Sequence, residues 1–178
     1  MNNKKMIDVA VLMLYIGIIY STLSVMPVVF SFFSKLVGPK GGLVIDIAAF
    51  VMIVTVCLLF GSRLGRNGVM PYIWLMVILS VYVYVLMECT PIIAEKVHLL
   101  EYGFLAYLVW RVFRDVRQEW IRYLLITALV VAVGWCDELI QGTLPNRVYD
   151  VRDIYLNILS GLLGLALVML LAPGRDRR

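Results

Sequence analysis

Six apolar segments dominate this sequence, and they constrain the fold more than any other feature. They cover residues 6–29, 43–60, 69–87, 97–113, 121–136 and 154–172. A transmembrane helix needs about 20 mostly apolar residues, because the hydrocarbon layer is roughly 30 Å thick. Hydrocarbon offers backbone polar groups no partners, so segments of this kind form helices. We therefore predict an all-α, polytopic transmembrane helical bundle of about six spans, in a single membrane domain over residues 1–178.

Composition agrees with a membrane protein and argues against a nucleic-acid partner. Apolar residues make up 62% of the chain and charged residues only 16%, against about 25% in soluble domains. The mean hydropathy is +0.92. The net charge of +4 comes from basic residues scattered among apolar segments, where they fit anchors at helix ends. A nucleic-acid-binding surface would instead gather them into one patch.

The distribution of Lys and Arg predicts the topology. With a cytoplasmic N-terminus, eleven of these residues fall on the inner side and five, including Arg147 and Arg152, on the outer side. Cytoplasmic loops carry the excess of positive charge in membrane proteins. We therefore expect both termini in the cytoplasm of a multi-pass cell-membrane protein. The fourth span is the weakest, because His98 and Glu101 stand near its start.

Under this topology, most acidic residues fall in the outer half of the bundle. Helical spacing of about 100° per residue then places polar side chains on one face of each of three spans. The acids of the outer half are Asp46, Glu88, Glu95, Glu101, Asp137, Glu138, Asp150 and Asp153. The stripes are Glu95, His98, Glu101 and Tyr102 in the fourth span, Asp137, Glu138 and Gln141 at the end of the fifth, and Asp153, Asn157, Ser160, Gly161 and Gly164 in the sixth.

Simpler roles remain open for several of these residues. Asp150 and Asp153 fit an N-cap and an acidic third helical position. Asn157 fits an interhelical hydrogen bond, as small and polar residues commonly mediate helix contacts in membranes. Lys96 fits an anchor at the membrane interface, and Glu95 a solvated loop charge.

Other polar residues are harder to explain in that way. His98 and Glu101 enter a membrane helix, where lipid cannot solvate them. Asp137 and Glu138 end an apolar helix, and Arg147 follows shortly after them. We predict that these groups meet in a charge-paired, outward-facing polar pocket built by the last three spans.

The order of these motifs resembles the VanZ-like family, named for a protein linked to teicoplanin resistance. Ser24-x-x-Pro27 at the end of the first span resembles an early signature of that family. The resemblance covers roughly residues 10–172 and implies an association with glycopeptide resistance and the cell envelope. It does not name a reaction. The matching motifs are Glu95-Lys96-x-His98 with Tyr102, Asp137-Glu138-x-x-Gln141, Pro145-x-Arg147, and Asp150-x-x-Asp153-x-x-x-Asn157-x-x-x-Gly161-x-x-Gly164. Glu95 stands where the family more often has aspartate, which keeps the charge.

The first functional hypothesis is a binding or shielding role toward an amphiphile of the cell envelope. A polar pocket between apolar helices suits a lipid-linked precursor or a lipoglycopeptide such as teicoplanin, with membrane lipid as the surrounding partner. Lys96, Arg147 and Arg152 would hold an anionic head, since arginine forms forked hydrogen bonds with phosphate and carboxylate.

Two other classes of function remain as alternatives. A membrane enzyme acting on a lipid phosphate or ester would use a divalent cation held by some of five hard ligands, His98, Glu101, Glu138, Asp150 and Asp153. No established metal motif such as His-Glu-x-x-His is present, so no catalytic residue is assigned. An ion-coupled transporter would explain acids within membrane helices, but the chain has no internal repeat.

Overall fold

The computed structural model describes residues 3–61, 68–90, 93–145, 147 and 149–171. Within these residues the secondary structure is helical, without strands, which confirms the all-α prediction. Five arginines that enter the charge count, Arg63, Arg66, Arg175, Arg177 and Arg178, lie outside the described residues.

Seven α-helices follow one another along the described chain. Two short helical turns accompany them: a 3₁₀ turn, Gly38–Lys40, precedes α3, and a π-helical turn, Val85–Cys89, extends α4. The helices are α1 (Asn3–Thr22), α2 (Met26–Val37), α3 (Gly41–Gly61), α4 (Met70–Tyr84), α5 (Ile93–Phe113), α6 (Glu119–Gln141) and α7 (Val151–Leu171).

Four of these helical segments are long and apolar enough to cross a membrane. They are α1, α4 with its π-helical turn, α6 and α7, and a fifth exists if α2 and the first part of α3, bent by 105°, form one span. The chain is therefore a membrane protein with several apolar helices, and the predicted count of about six is not reached on length and composition. The helix α5 falls short because it carries four charged residues, Glu95, Lys96, Glu101 and Arg111, together with the ionisable His98.

The first predicted span, residues 6–29, is divided in the structure. The helix α1 ends at Thr22, and α2 begins at Met26 with Pro27 in its first turn. Proline fits this position because it lacks the N–H that the first helical turn leaves unpaired. A second break follows at Gly38, whose φ of 67° favours glycine. The polar residues Ser21, Thr22 and Ser24 stand at the first break, but the apolar residues on both sides of them make the segment resemble one span.

The charged helix α5 lies at the centre of the bundle. It packs against α1, α3, α6 and α7. Its inward residues Tyr102, Leu105 and Val109 are fully buried. The polar groups of α5 therefore face protein, which is how ionisable residues are accommodated in membrane helices.

Two glycines of α7 allow close helix contacts, in agreement with the small-residue stripe of the sequence. A Cβ on Gly164 would stand 2.4 Å from the carbonyl oxygen of Gly103, so α5 and α7 touch through backbone atoms. A Cβ on Gly161 would stand 2.2 Å from Cγ1 of Val130 on α6. Contacts of this kind through small residues are typical of packed membrane helices.

Candidate functional site: a buried polar cluster

Polar side chains of α5, α6 and α7 meet at one end of the bundle. The start of α5, the end of α6 and the start of α7 lie together there, and α6 continues to Gln141, beyond the predicted boundary at residue 136. We call this group the polar cluster; its members are His98, Glu101, Tyr102, Asp137, Glu138, Gln141, Arg147, Asp153 and Asn157. Lys96 and Asp150 stand beside it with partners described below.

Asp137 is the centre of the polar cluster. Its Oδ2 accepts hydrogen bonds from the Tyr102 hydroxyl at 3.0 Å and from Gln141 Nε2 at 3.4 Å. His98 Nδ1 lies 3.9 Å from the same oxygen and 3.4 Å from Glu101 Oε2. The carboxyl group of Asp137 is fully buried, so it depends on these partners for its solvation.

Glu138 joins the end of α6 to the start of α7. Its Oε1 accepts from Gln141 Nε2 at 3.1 Å, and its Oε2 accepts from the backbone N–H of Asp150 at 3.3 Å. Asp150 in turn caps α7, because its Oδ1 accepts from the backbone N–H of Arg152 at 2.8 Å. The helix-start interpretation of Asp150 therefore fits its contacts.

Arg147 brings a positive charge to the cluster from the connection between α6 and α7. Its guanidinium group interacts electrostatically with His98, Asp137 and Asp153, one residue from each of the three helices. Its backbone N–H donates to the carbonyl of Leu144 at 3.2 Å, which fixes the turn that carries it.

Several buried polar atoms of the cluster have no hydrogen-bond partner among the described residues. They are Arg147 Nε, His98 Nδ1, Asp137 Oδ1, and both Oδ1 and Nδ2 of Asn157. Each such atom costs about 1–3 kcal/mol when it is left unpaired, and native proteins keep few of them. Five of the seven atoms of this kind in the described part of the chain lie here.

Comparison with known protein families assigns this chain to one of them. A model of the VanZ/LLP1 family matches residues 12–172, which include all of α4 to α7. The chain belongs to the VanZ/LLP1 family. The resemblance that the motifs indicated is thereby confirmed. No curated protein and no solved structure matches the chain.

Two of the three predicted anion-binding cations of this VanZ/LLP1 protein have partners within the chain. Lys96 Nζ lies 2.6 Å from Asp46 Oδ1 on α3. Because Lys96 is also buried, it does not act as a simple anchor at the membrane interface. Arg152 Nη2 donates to the Cys89 carbonyl at 2.6 Å, while its Nη1 lies 3.4 Å from Glu95 Oε1.

The contacts of Glu95 and Asn157 differ from the simpler roles considered for them. Glu95 is buried at its contact with Arg152, and so is not a solvated loop charge. Asn157 is buried, with both side-chain polar atoms unpaired among the described residues, and so makes no interhelical hydrogen bond with them. Its Cβ lies beside Gly134, where an added Cβ would stand 3.1 Å away. Asn157 therefore lies on the side of the cluster next to Gly134, near Tyr102.

Asp8 forms a second buried ion pair at the opposite end of the bundle, which the polar stripes of the sequence did not indicate. Asp8 is 2% exposed and contacts Nη2 of Arg111, and Arg114 Nη2 lies 3.1 Å from its Oδ2. The sequence feature that could have indicated it is an acidic residue inside the first apolar segment.

Two tyrosines of α1 add hydrogen bonds to neighbouring helices. Tyr15 donates to the carbonyl of Glu101, and Tyr20 donates to the carbonyl of Val133.

The donor groups of this VanZ/LLP1 protein do not form a ready metal site. Among the described residues, no three His, Cys, Asp or Glu side chains are grouped so that they could hold a metal ion. In the polar cluster, Arg147, Tyr102 and Gln141 stand among the carboxylates instead. This arrangement suits hydrogen bonding to a polar organic group better than coordination of a divalent cation.

Proposed function

We propose that this protein binds or shields the polar head of a membrane amphiphile at the polar cluster. The observation that carries the proposal is the set of five buried, unpaired polar atoms on Arg147, His98, Asp137 and Asn157. A bound head with several donors and acceptors would satisfy them together. Apolar side chains next to the cluster, such as Leu139 and Tyr155, are exposed on the outer surface of α6 and α7. They offer a surface along which an acyl chain can lie.

A six-span topology places this head group at the outer face of the membrane. In it, α1, α3, α4, α5, α6 and α7 cross alternately, with both termini in the cytoplasm. The contacts between helix ends support this order: the start of α1 meets the end of α5 through Asp8, and the start of α3 meets the start of α5 through Asp46 and Lys96. Arg152 likewise joins the end of α4 to the start of α7. Alternating crossings put each of these pairs on one side.

The candidate ligands are a lipid-linked envelope precursor and a lipoglycopeptide such as teicoplanin. Both combine a polar head with an apolar tail, which is what the cluster and its apolar surroundings would accommodate. The link to glycopeptide resistance comes from the VanZ-like resemblance, so susceptibility to teicoplanin is the first property to measure.

Arg147→Ala tests the proposal most directly. We expect this variant to lower ligand affinity by about tenfold to a hundredfold, because a hydrogen bond to a charged group contributes about 1.5–3 kcal/mol. Overproduction of the wild-type protein in a susceptible bacterium should then raise the inhibitory concentration of teicoplanin, and overproduction of Arg147→Ala should not. The measurement is made at equal amounts of protein in the membrane.

Arg117→Ala is the matched control, since Arg117 is exposed in the connection between α5 and α6. It removes the same charge from the other end of the bundle and should leave the effect of overproduction unchanged. Teicoplanin susceptibility that is unaltered both by deletion and by overproduction of the wild-type protein would contradict the proposed function.

A further inference from the structure

The contacts within the chain change the charge that the polar cluster offers to a ligand. Lys96 pairs with Asp46, and Arg152 pairs with Glu95, so each of these cations already has an anionic partner within the chain. The remaining cation of the cluster is Arg147. It shares the cluster with four carboxyl groups, those of Glu101, Asp137, Glu138 and Asp153, and it interacts electrostatically with the last of these and with Asp137. Acids therefore outnumber the available cation among the described residues of the cluster.

Two of the five atoms without a hydrogen-bond partner are acceptors that need a donor, and the other three are nitrogen atoms of Arg147, His98 and Asn157. Asp137 Oδ1 and Asn157 Oδ1 are buried without a donor among the described residues. A carboxylate is an acceptor only, so a ligand must bring the N–H or O–H group that satisfies it. Arg147 Nε is a donor at the edge of the same group, and it needs an acceptor.

Resting on the proposed function, we propose that the ligand is a membrane lipid whose head carries a primary ammonium group. Asp137 and Asn157 accept its N–H donors, and Arg147 donates to the anionic part of the same head. A primary ammonium group fits because it has a positive charge and three donors. A quaternary ammonium group has the charge but no N–H, and would leave Asp137 Oδ1 unpaired.

Three lipids with identical acyl chains distinguish the contributions of the positive charge, the N–H donors and the phosphate. Phosphatidylethanolamine and phosphatidylcholine both carry a phosphate and a positive charge, but only the first has N–H donors. Phosphatidylglycerol keeps the phosphate and lacks the cation. The purified full-length protein in detergent is mixed with equal amounts of all three, and native mass spectrometry measures which lipid remains bound.

We expect phosphatidylethanolamine to be retained at least about tenfold over either of the other lipids, the effect of one charged hydrogen bond. Asp137→Asn, nearly identical in shape, and Asn157→Ala should each reduce this preference severalfold. Glu88→Gln, at an exposed position, is the control that should leave it unchanged. The preference of the wild-type protein decides the matter even if a variant fails to fold.

Other outcomes overturn the inference and are distinct from failure of the proposed function. Preference for phosphatidylglycerol that Arg147→Ala abolishes would replace the ammonium ligand by an anionic one and leave lipid-head binding intact. Equal retention of phosphatidylcholine would remove the need for N–H donors. Equal binding of glycerophosphoethanolamine, the head without acyl chains, would exclude a lipid as the specific ligand. Retention of none of these lipids would overturn the inference, while the teicoplanin experiment still decides the proposed function.

Discussion

Gly164→Leu is expected to prevent the bundle from reaching its native packing, at a cost of about 3 kcal/mol or more. Overpacking a membrane or soluble core usually costs about 1–3 kcal/mol, because side chains can partly move aside. Here an added Cβ would stand 2.4 Å from the carbonyl oxygen and 2.6 Å from the Cα of Gly103. Backbone atoms of a central helix cannot yield in this way. The yield of monodisperse protein after extraction and its thermal unfolding temperature in detergent measure the effect.

Two further variants show whether the backbone contact is the cause of the lost stability. Gly17→Leu in α1 introduces the same side chain where nothing lies within 4 Å, and it should leave the unfolding temperature nearly unchanged. Gly161→Ala meets a side chain, Val130, and the added Val130→Ala should restore much of the lost stability. Equal unfolding temperatures for Gly164→Leu and Gly17→Leu would contradict the close contact between α5 and α7.

Asp8→Ala is expected to lower the free energy of unfolding by about 2 kcal/mol. Removing one member of a buried ion pair costs about 3–5 kcal/mol, because the other charge remains without a partner. Asp8 is almost completely buried, but the side chains of Arg111 and Arg114 are about 30% exposed. Water at the membrane surface therefore compensates part of the loss, and the expected value is reduced accordingly.

Glu119→Ala provides the control for Asp8→Ala. Glu119 also pairs with an arginine, Arg122, at 3.6 Å, but its side chain is 73% exposed. Exposed pairs contribute only about 0–1 kcal/mol, so this variant should unfold close to the wild-type temperature. Similar unfolding temperatures for the two variants would show that Asp8 does not hold α1 to α5.

The sequence predicted the all-α class and which polar residues share a helix face because both depend on local patterns. Apolar length determines where a membrane helix can form, and a period of 3.6 residues determines which side chains share a face. That reasoning placed Asp137 and Gln141 on one face of α6, where the structure has them hydrogen-bonded. It also singled out Gly161 and Gly164 as positions of close approach.

Pairings between distant segments were beyond the reach of local patterns. Lys96 and Asp46 are 50 positions apart, and the sequence could only assign both to the outer half. The same holds for Arg152, whose contact with Cys89 depends on how α4 and α7 pack. These pairings changed the interpretation of the site, since they give two of the three cations predicted to bind an anion a partner within the chain.

The central position of α5 has a consequence for how the chain is made. A charged residue at the middle of a membrane helix disfavours insertion by about 2.5–3.5 kcal/mol, and α5 carries Glu101 near its middle. The helices that cover α5 are largely α6 and α7, and both are synthesised after it. In the six-span topology, α5 must therefore wait at the translocon or the membrane surface and enter the bilayer together with the hairpin that follows it. Truncation after α5 would leave this helix outside the lipid.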